Sequence, residues 1–114
     1  MPIRLLRAPI PAGTVAELAE LLGDRVRLAL DAGRGVMAAG GEFHADCEEA
    51  LLDDGSDGDD IWGLEYWPGT NDVSFVSLIN IKPQVGNRTT DVQDPTVRSR
   101  LETLLRELLG EAAR

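Results

Sequence analysis

The spacing of apolar residues changes period at Gly40-Gly41. Ahead of that pair, Arg25 to Asp31 alternates: Val26, Leu28 and Leu30 fall on one side, Arg25, Arg27 and Asp31 on the other. That is the signature of a half-buried strand. Behind it, Phe43, Cys47, Ala50 and Leu51 recur at i, i+4, i+7 and i+8, which is helical spacing. A chain whose period switches from 2 to 3.6 across a glycine break must build sheet and helix together. The expected class is therefore α+β, with helices packed on an antiparallel or mixed sheet of about five strands.

The other elements fit that frame. Ile3 to Leu6 reads as a first strand, ended by Pro9 and Pro11, which lack the ladder donor. Thr14-Val15-Ala16-Glu17 reads as a capping box for a helix over Val15–Leu22, stopped at Gly23. Ala32-Gly33-Arg34-Gly35 is turn chemistry between Arg25–Asp31 and a return strand over Val36–Ala39. The small residues of that return strand imply a close-packed neighbour. The helix from Phe43 is expected to end near Asp54, with Gly55 as cap and Ser56 to Asp60 as an acidic turn. Strands are expected over Ile61–Trp67 and Val73–Ile81, the second apolar on both faces and so covered or central. Lys82 to Gln93 is a long loop. Asp94 as N-cap and Pro95 as first residue open a last helix with an apolar stripe of Val97, Leu101, Leu104, Leu105, Leu108 and Leu109, ended at Gly110. The predicted order is β-α-β-β-α-β-β-α.

At 114 residues the chain is expected to form a single domain over 1–114, large enough to be stable without disulfide or structural metal. One cysteine cannot form an internal disulfide, so a cytoplasmic setting is expected. No stretch reaches the ~20 apolar residues of a membrane span, and the apolar part of the first residues is too short for a signal peptide. The net charge of −9 argues against nonspecific nucleic-acid binding, which needs cationic side chains on phosphates. The charge is also polarised: Glu42 to Asp72 holds eleven Asp and Glu and no Lys or Arg, so it carries −11 against +2 for the remainder. Such a chain can draw a cation, a basic partner or a second copy of itself, or the acids can simply keep a loop solvated.

Gly40-Gly41-Glu42-Phe43-His44-Ala45-Asp46, Leu51-Leu52-Asp53-Asp54-Gly55-Ser56, Ile61-Trp62-Gly63, Ser77-Leu78-Ile79-Asn80-Ile81-Lys82-Pro83, Gly86-Asn87-Arg88 and Asp94-Pro95 stand in order over about residues 25 to 100. With them the chain resembles a small, mostly bacterial family classed as a domain of unknown function. It departs from that family's pattern at Phe43, Cys47, Lys82 and Thr89, where Leu, Ala, Arg and Ser are usual. The resemblance implies a shared fold and brings no activity.

Two regions carry residues suited to chemistry. Glu42, His44 and Asp46 are candidate catalytic residues, since a histidine among carboxylates suits general acid–base work or a metal. On a helix, however, Glu42 and His44 diverge by about 200°, whereas His44 and Glu48 lie one turn apart and form the candidate metal pair. The bordering apolar stripe favours His44 as a packed structural histidine, Asp46-x-x-Glu49 also reads as a capping box, and Cys47 as an inert buried thiol. The acidic run Asp53 to Asp60 lacks calcium-loop spacing. Asn80, Lys82, Asn87 and Arg88 are candidate ligand-binding residues for a carboxylate or phosphate. The alternative is that they tie down the long loop, with Arg88 pairing Asp91 or Asp94. With no Walker, dinucleotide or Gly-x-Ser-x-Gly pattern, no cofactor is expected.

Two functions remain open at this stage. One is an acidic binding or interaction module, expected to be a homodimer, that recognises a protein or a small anionic ligand through the acidic central segment and the polar loop, with Trp62 or Trp67 as an exposed anchor. The other is a small hydrolytic or metal-assisted enzyme drawing on Glu42, His44 and Asp46 together with Lys82, Asn87 and Arg88.

Overall fold

The computed structural model describes residues 3–114. Five strands form one antiparallel sheet: β1 (Arg4–Leu6), β2 (Val26–Asp31), β3 (Val36–Ala39), β4 (Ile61–Trp67) and β5 (Asp72–Ser74), in the order β1-β3-β2-β4-β5. Three helices, α1 (Ala12–Leu18), α2 (His44–Asp53) and α3 (Pro95–Leu109), complete the predicted order. The fold is α+β. Its centre is the β2–β4 pairing, in which Val26 faces Tyr66 and Asp31 faces Ile61.

Strand parity divides the core in two. Val26, Leu28 and Leu30 of β2, with Met37, Leu64 and Tyr66, pack against Leu101, Leu105 and Leu109 of α3 and Val15 and Leu18 of α1. On the opposite face Ala29, Val36, Ala38 and Ile61 meet Cys47 and Leu51 of α2. The small side chains Ala29 and Ala38 let α2 lie close to the sheet, which answers the small-residue run of β3. With helices on both faces, β2 is not half-buried as its alternation implied. Even Asp31 has no exposed surface, and its Oδ1 accepts from the amides of Gly33 (2.8 Å) and Arg34 (2.9 Å) to close the β2–β3 turn.

Four local expectations are corrected. α1 begins at Ala12 rather than Val15, because Pro11 already stands as its N-cap and the Thr14 amide donates to the Pro11 carbonyl. Thr14 therefore sits inside the first turn, makes no capping bond, and the helix ends at Leu18. At α2 the N-cap is Phe43, so Asp46 lies within the first turn and does not start the helix. The strand expected over Val73–Ile81 ends at Ser74, and β5 is an edge strand, neither central nor covered on both faces. Beyond it the Ser77 hydroxyl accepts from the Ile79 amide and opens a 3₁₀ turn over Leu78–Asn80. A serine that offers its own side chain to the backbone competes with the ladder and pulls the chain out of the sheet. The Lys82–Gln93 loop is likewise not irregular throughout: Pro83–Val85 forms a second 3₁₀ turn, and Lys82 and Asn87 exchange backbone hydrogen bonds.

Candidate functional site

β5 covers β4 only from Glu65 to Trp67. Farther up, the free edge of β4 is met by a side chain. The Oδ1 of Asn80 accepts from the Gly63 amide at 2.7 Å, and its Nδ2 donates to the Gly63 carbonyl at 3.0 Å. The same Nδ2 also donates to the Phe75 and Thr90 carbonyls. Asn87 plays the matching part in the loop: its Nδ2 donates to the carbonyls of Asn80, Thr89 and Asp91, and its Oδ1 accepts from the Gln93 amide. Both asparagines are buried. Their amides hold backbone that would otherwise be orphaned, as buried polar groups require.

Lys82 is buried along its length, with Nζ 5.7 Å from the centre of the Trp62 ring and 4.0 Å from Glu48 Oε2. A lysine ammonium over an indole face is a cation–π contact, which holds Lys82 against β4. Arg88 is exposed, and its amide donates to Gln93 Oε1. The acids suggested as its partners are engaged elsewhere: Asp91 pairs with Arg98, and Asp94 caps α3 through the amides of Thr96 and Val97.

The Gly40–Asp46 stretch places His44 in the first turn of α2, against β4. His44 Nε2 lies 2.9 Å from the Leu64 carbonyl, so this nitrogen carries the proton and donates. Burial, foremost, lowers the His44 pKa; the Leu64 carbonyl and Glu65 oppose it without cancelling it, and Arg27 adds the least, in the lowering direction. The ring is thus neutral at pH 7. Gly63 is glycine because a methyl group there would lie 2.7 Å from Ser77 Cβ and Oγ and 3.0 Å from the His44 ring. His44, Gly63 and Ser77 are one close-packed contact.

Above that contact a cleft of about 270 Å³ opens, lined by Arg27, Phe43, His44, Ala45, Ser77, Leu78 and Ile79. Its rim is apolar and open to solvent: Phe43 is 57% exposed and Leu78 78%. Arg27 reaches the Glu42 carbonyl and Glu65 from below. The Glu42 side chain and Arg88 do not line this cleft. Of its lining residues only His44 is a candidate from the sequence; Arg27, Phe43, Ala45, Ser77, Leu78 and Ile79 are not. Leu78 lay inside an apolar run read as covered strand, and nothing in the run marked it as exposed.

His44 and Glu48 stand one turn apart but have separate partners, the Leu64 carbonyl and Lys82. Among the described residues no group of three or more His, Cys, Asp or Glu side chains is arranged to hold a metal ion. At the C-terminal end of α2, where carboxylates oppose the helix dipole, Asp54 is bracketed by Arg7 and Arg34, which lower its pKa. Guanidinium groups there supply the positive charge that an ion would otherwise bring. Burial pushes the Cys47 thiol up to about 11, so it is neither nucleophile nor ligand at neutral pH. Of the tryptophans, Trp62 is buried in the α3-side core, and Trp67 lies half-buried beneath the guanidinium of Arg25.

No curated protein and no solved structure is detectably similar to this chain. A family profile described as a protein of unknown function, DUF5674, matches residues 4–108. That match spans every strand and nearly all of α3, including the Gly63–Asn80 edge and the His44 cleft; the chain belongs to the DUF5674 family of proteins of unknown function.

Proposed function

We propose that this chain is a non-catalytic interaction module that self-associates through the ridge formed by residues 76–85 and the adjoining Phe43–Leu78 cleft. The observation that carries the reading is a coincidence of exposure and charge. Val76, Leu78, Ile81 and Val85 are all exposed large apolar residues on one short stretch. Val73 to Thr90 contains no Asp or Glu, in a chain that has 20. Two copies carrying −9 each repel over most of their surfaces. The ridge is where they can meet without setting carboxylate against carboxylate, while removing apolar surface from water.

The internal use of the polar candidates supports the same reading. Asn80, Asn87 and His44 are hydrogen-bonded to backbone, which leaves them few groups for a substrate. A buried single thiol suits a reducing, cytoplasmic setting. Mixing isotope-labelled with unlabelled protein and recording cross-saturation tests the proposal: transfer should centre on Val76, Leu78, Ile81 and Phe43. Transfer confined to α3 or to the acidic turn would defeat it.

A further inference from the structure

A second surface lies at the opposite end of the sheet. β1 is an edge strand, paired with β3 on one side only. Between its outer side and α2 runs a groove of about 420 Å³, lined by Ile3, Leu5, Ala50, Asp46, Glu49 and Asp53. Leu5 pairs with Ala38 and so points to the α2 face, where it remains 38% exposed. The groove thus has an apolar floor, an acidic wall and an unpaired strand edge.

The acidic wall has a definite spacing. Asp46, Glu49 and Asp53 stand at i, i+3 and i+7 on α2 and share one face, spread over roughly 10 Å of helix. None of the three is ion-paired among the described residues, whereas their neighbours Glu48 and Asp54 are. A row this long does not converge on one ion. Two to three same-side residues of an extended chain, which recur every ~6.7 Å, cover that length.

We propose that this groove receives an extended basic segment of a partner protein, which adds as a sixth strand beside β1 and presents Lys or Arg at alternate positions toward α2. Those residue types fit both surfaces at once. Their aliphatic stems cover Leu5 and Ala50, and their charged ends reach Asp46, Glu49 and Asp53. Backbone pairing along the edge supplies affinity, and the alternate charges supply selectivity. The groove shares no lining residue with the 76–85 ridge or the Phe43–Leu78 cleft, so it stands or falls independently of self-association.

The test uses a fluorescent seven-residue peptide of alternating Val and Lys, its Glu counterpart, and the Lys peptide N-methylated at alternate residues, each titrated into the full chain at low salt. The Lys peptide should bind and shift the backbone amides of Arg4–Leu6 and of Asp46–Asp53. The Glu peptide should not bind. The triple variant Asp46→Asn/Glu49→Gln/Asp53→Asn, which keeps side-chain volume and leaves the core untouched, should bind about tenfold more weakly and with a shallower salt dependence. Failure of the Lys peptide to bind, or equal binding by the triple variant, overturns the proposal. So does full binding by the N-methylated peptide, because strand addition needs those amides.

Discussion

Asn80 faces Gly63 as a neighbouring peptide unit would, accepting from its amide at 2.7 Å and donating to its carbonyl at 3.0 Å. One side chain thereby stands in for a missing strand along β4. It also ties in Phe75 and Thr90, so the edge, the 3₁₀ turn and the long loop share a single anchor.

Asn80→Asp keeps the shape but removes both donors and sets a carboxylate against three buried carbonyls. An unsatisfied buried group costs about 1–3 kcal/mol, and several are created at once. The expected loss is at least about 3 kcal/mol, or roughly 10–20 °C in melting temperature. Thermal unfolding followed by circular dichroism measures it. A loss under a few degrees would mean that the amide is not the anchor.

Gly63→Ala inserts a methyl group 2.7 Å from Ser77 and 3.0 Å from the His44 ring. Overpacking of this kind costs about 1–3 kcal/mol. Pairing it with Ser77→Gly should restore part of the loss, despite the Ser77 contribution to its own turn. Denaturant midpoints of the two single variants and the double variant give the coupling directly.

His44 contributes a pH dependence with a definite sign. Its folded pKa lies below the ordinary 6.5 because burial disfavours the imidazolium. The unfolded chain therefore binds more protons in that interval, and stability falls as pH drops from 6.5 toward the lowered folded value. Above 6.5 the contribution is complete. Melting temperatures between pH 7.5 and 5.5 should fall more in the wild type than in His44→Gln, which has no ionisation of its own there. Parallel curves for the two proteins would contradict the neutral, donating histidine.

Asp60 behaves in the opposite sense. Desolvation, then the nearby charges of Asp31, Asp57 and Asp59, raise its pKa above the ordinary 3.8. Ionised Asp60 thus opposes folding above its raised pKa, an effect that disappears below 3.8. Asp60→Asn should melt higher than wild type at pH 7 and no higher at pH 3. Its backbone carbonyl, which accepts from the Ala32 amide, is unaffected by the change.

The elements legible in the sequence were those whose apolar period has one reading. β1, β2, β3, β4, α2 and α3 all lie within a residue of the expected ends, β2 through its alternation, α2 through its i, i+4, i+7 spacing and α3 through a leucine stripe behind Asp94-Pro95. The run from Val73 to Ile81 has no such period, and its polar residues decided the outcome. Ser77 turned the chain, and Asn80 replaced the strand. That replacement is a side-chain bond to Gly63, seventeen residues away, and long-range partners of this kind leave no local trace. The same holds for the site. The polar cluster at His44 was visible as residue types, but its bond to Leu64 and the cleft it shares with Leu78 arise from packing across the sheet.

Self-association through the acid-free ridge is tested most directly by sedimentation velocity across a concentration series, comparing wild type with Leu78→Asp. Leu78 is 78% exposed, so the substitution leaves the core intact, and a circular dichroism spectrum matching the wild type should confirm it. The wild type should sediment as a dimer that Leu78→Asp converts to monomer. A wild type that stays monomeric at hundreds of micromolar, or a dimer indifferent to the substitution, would contradict it.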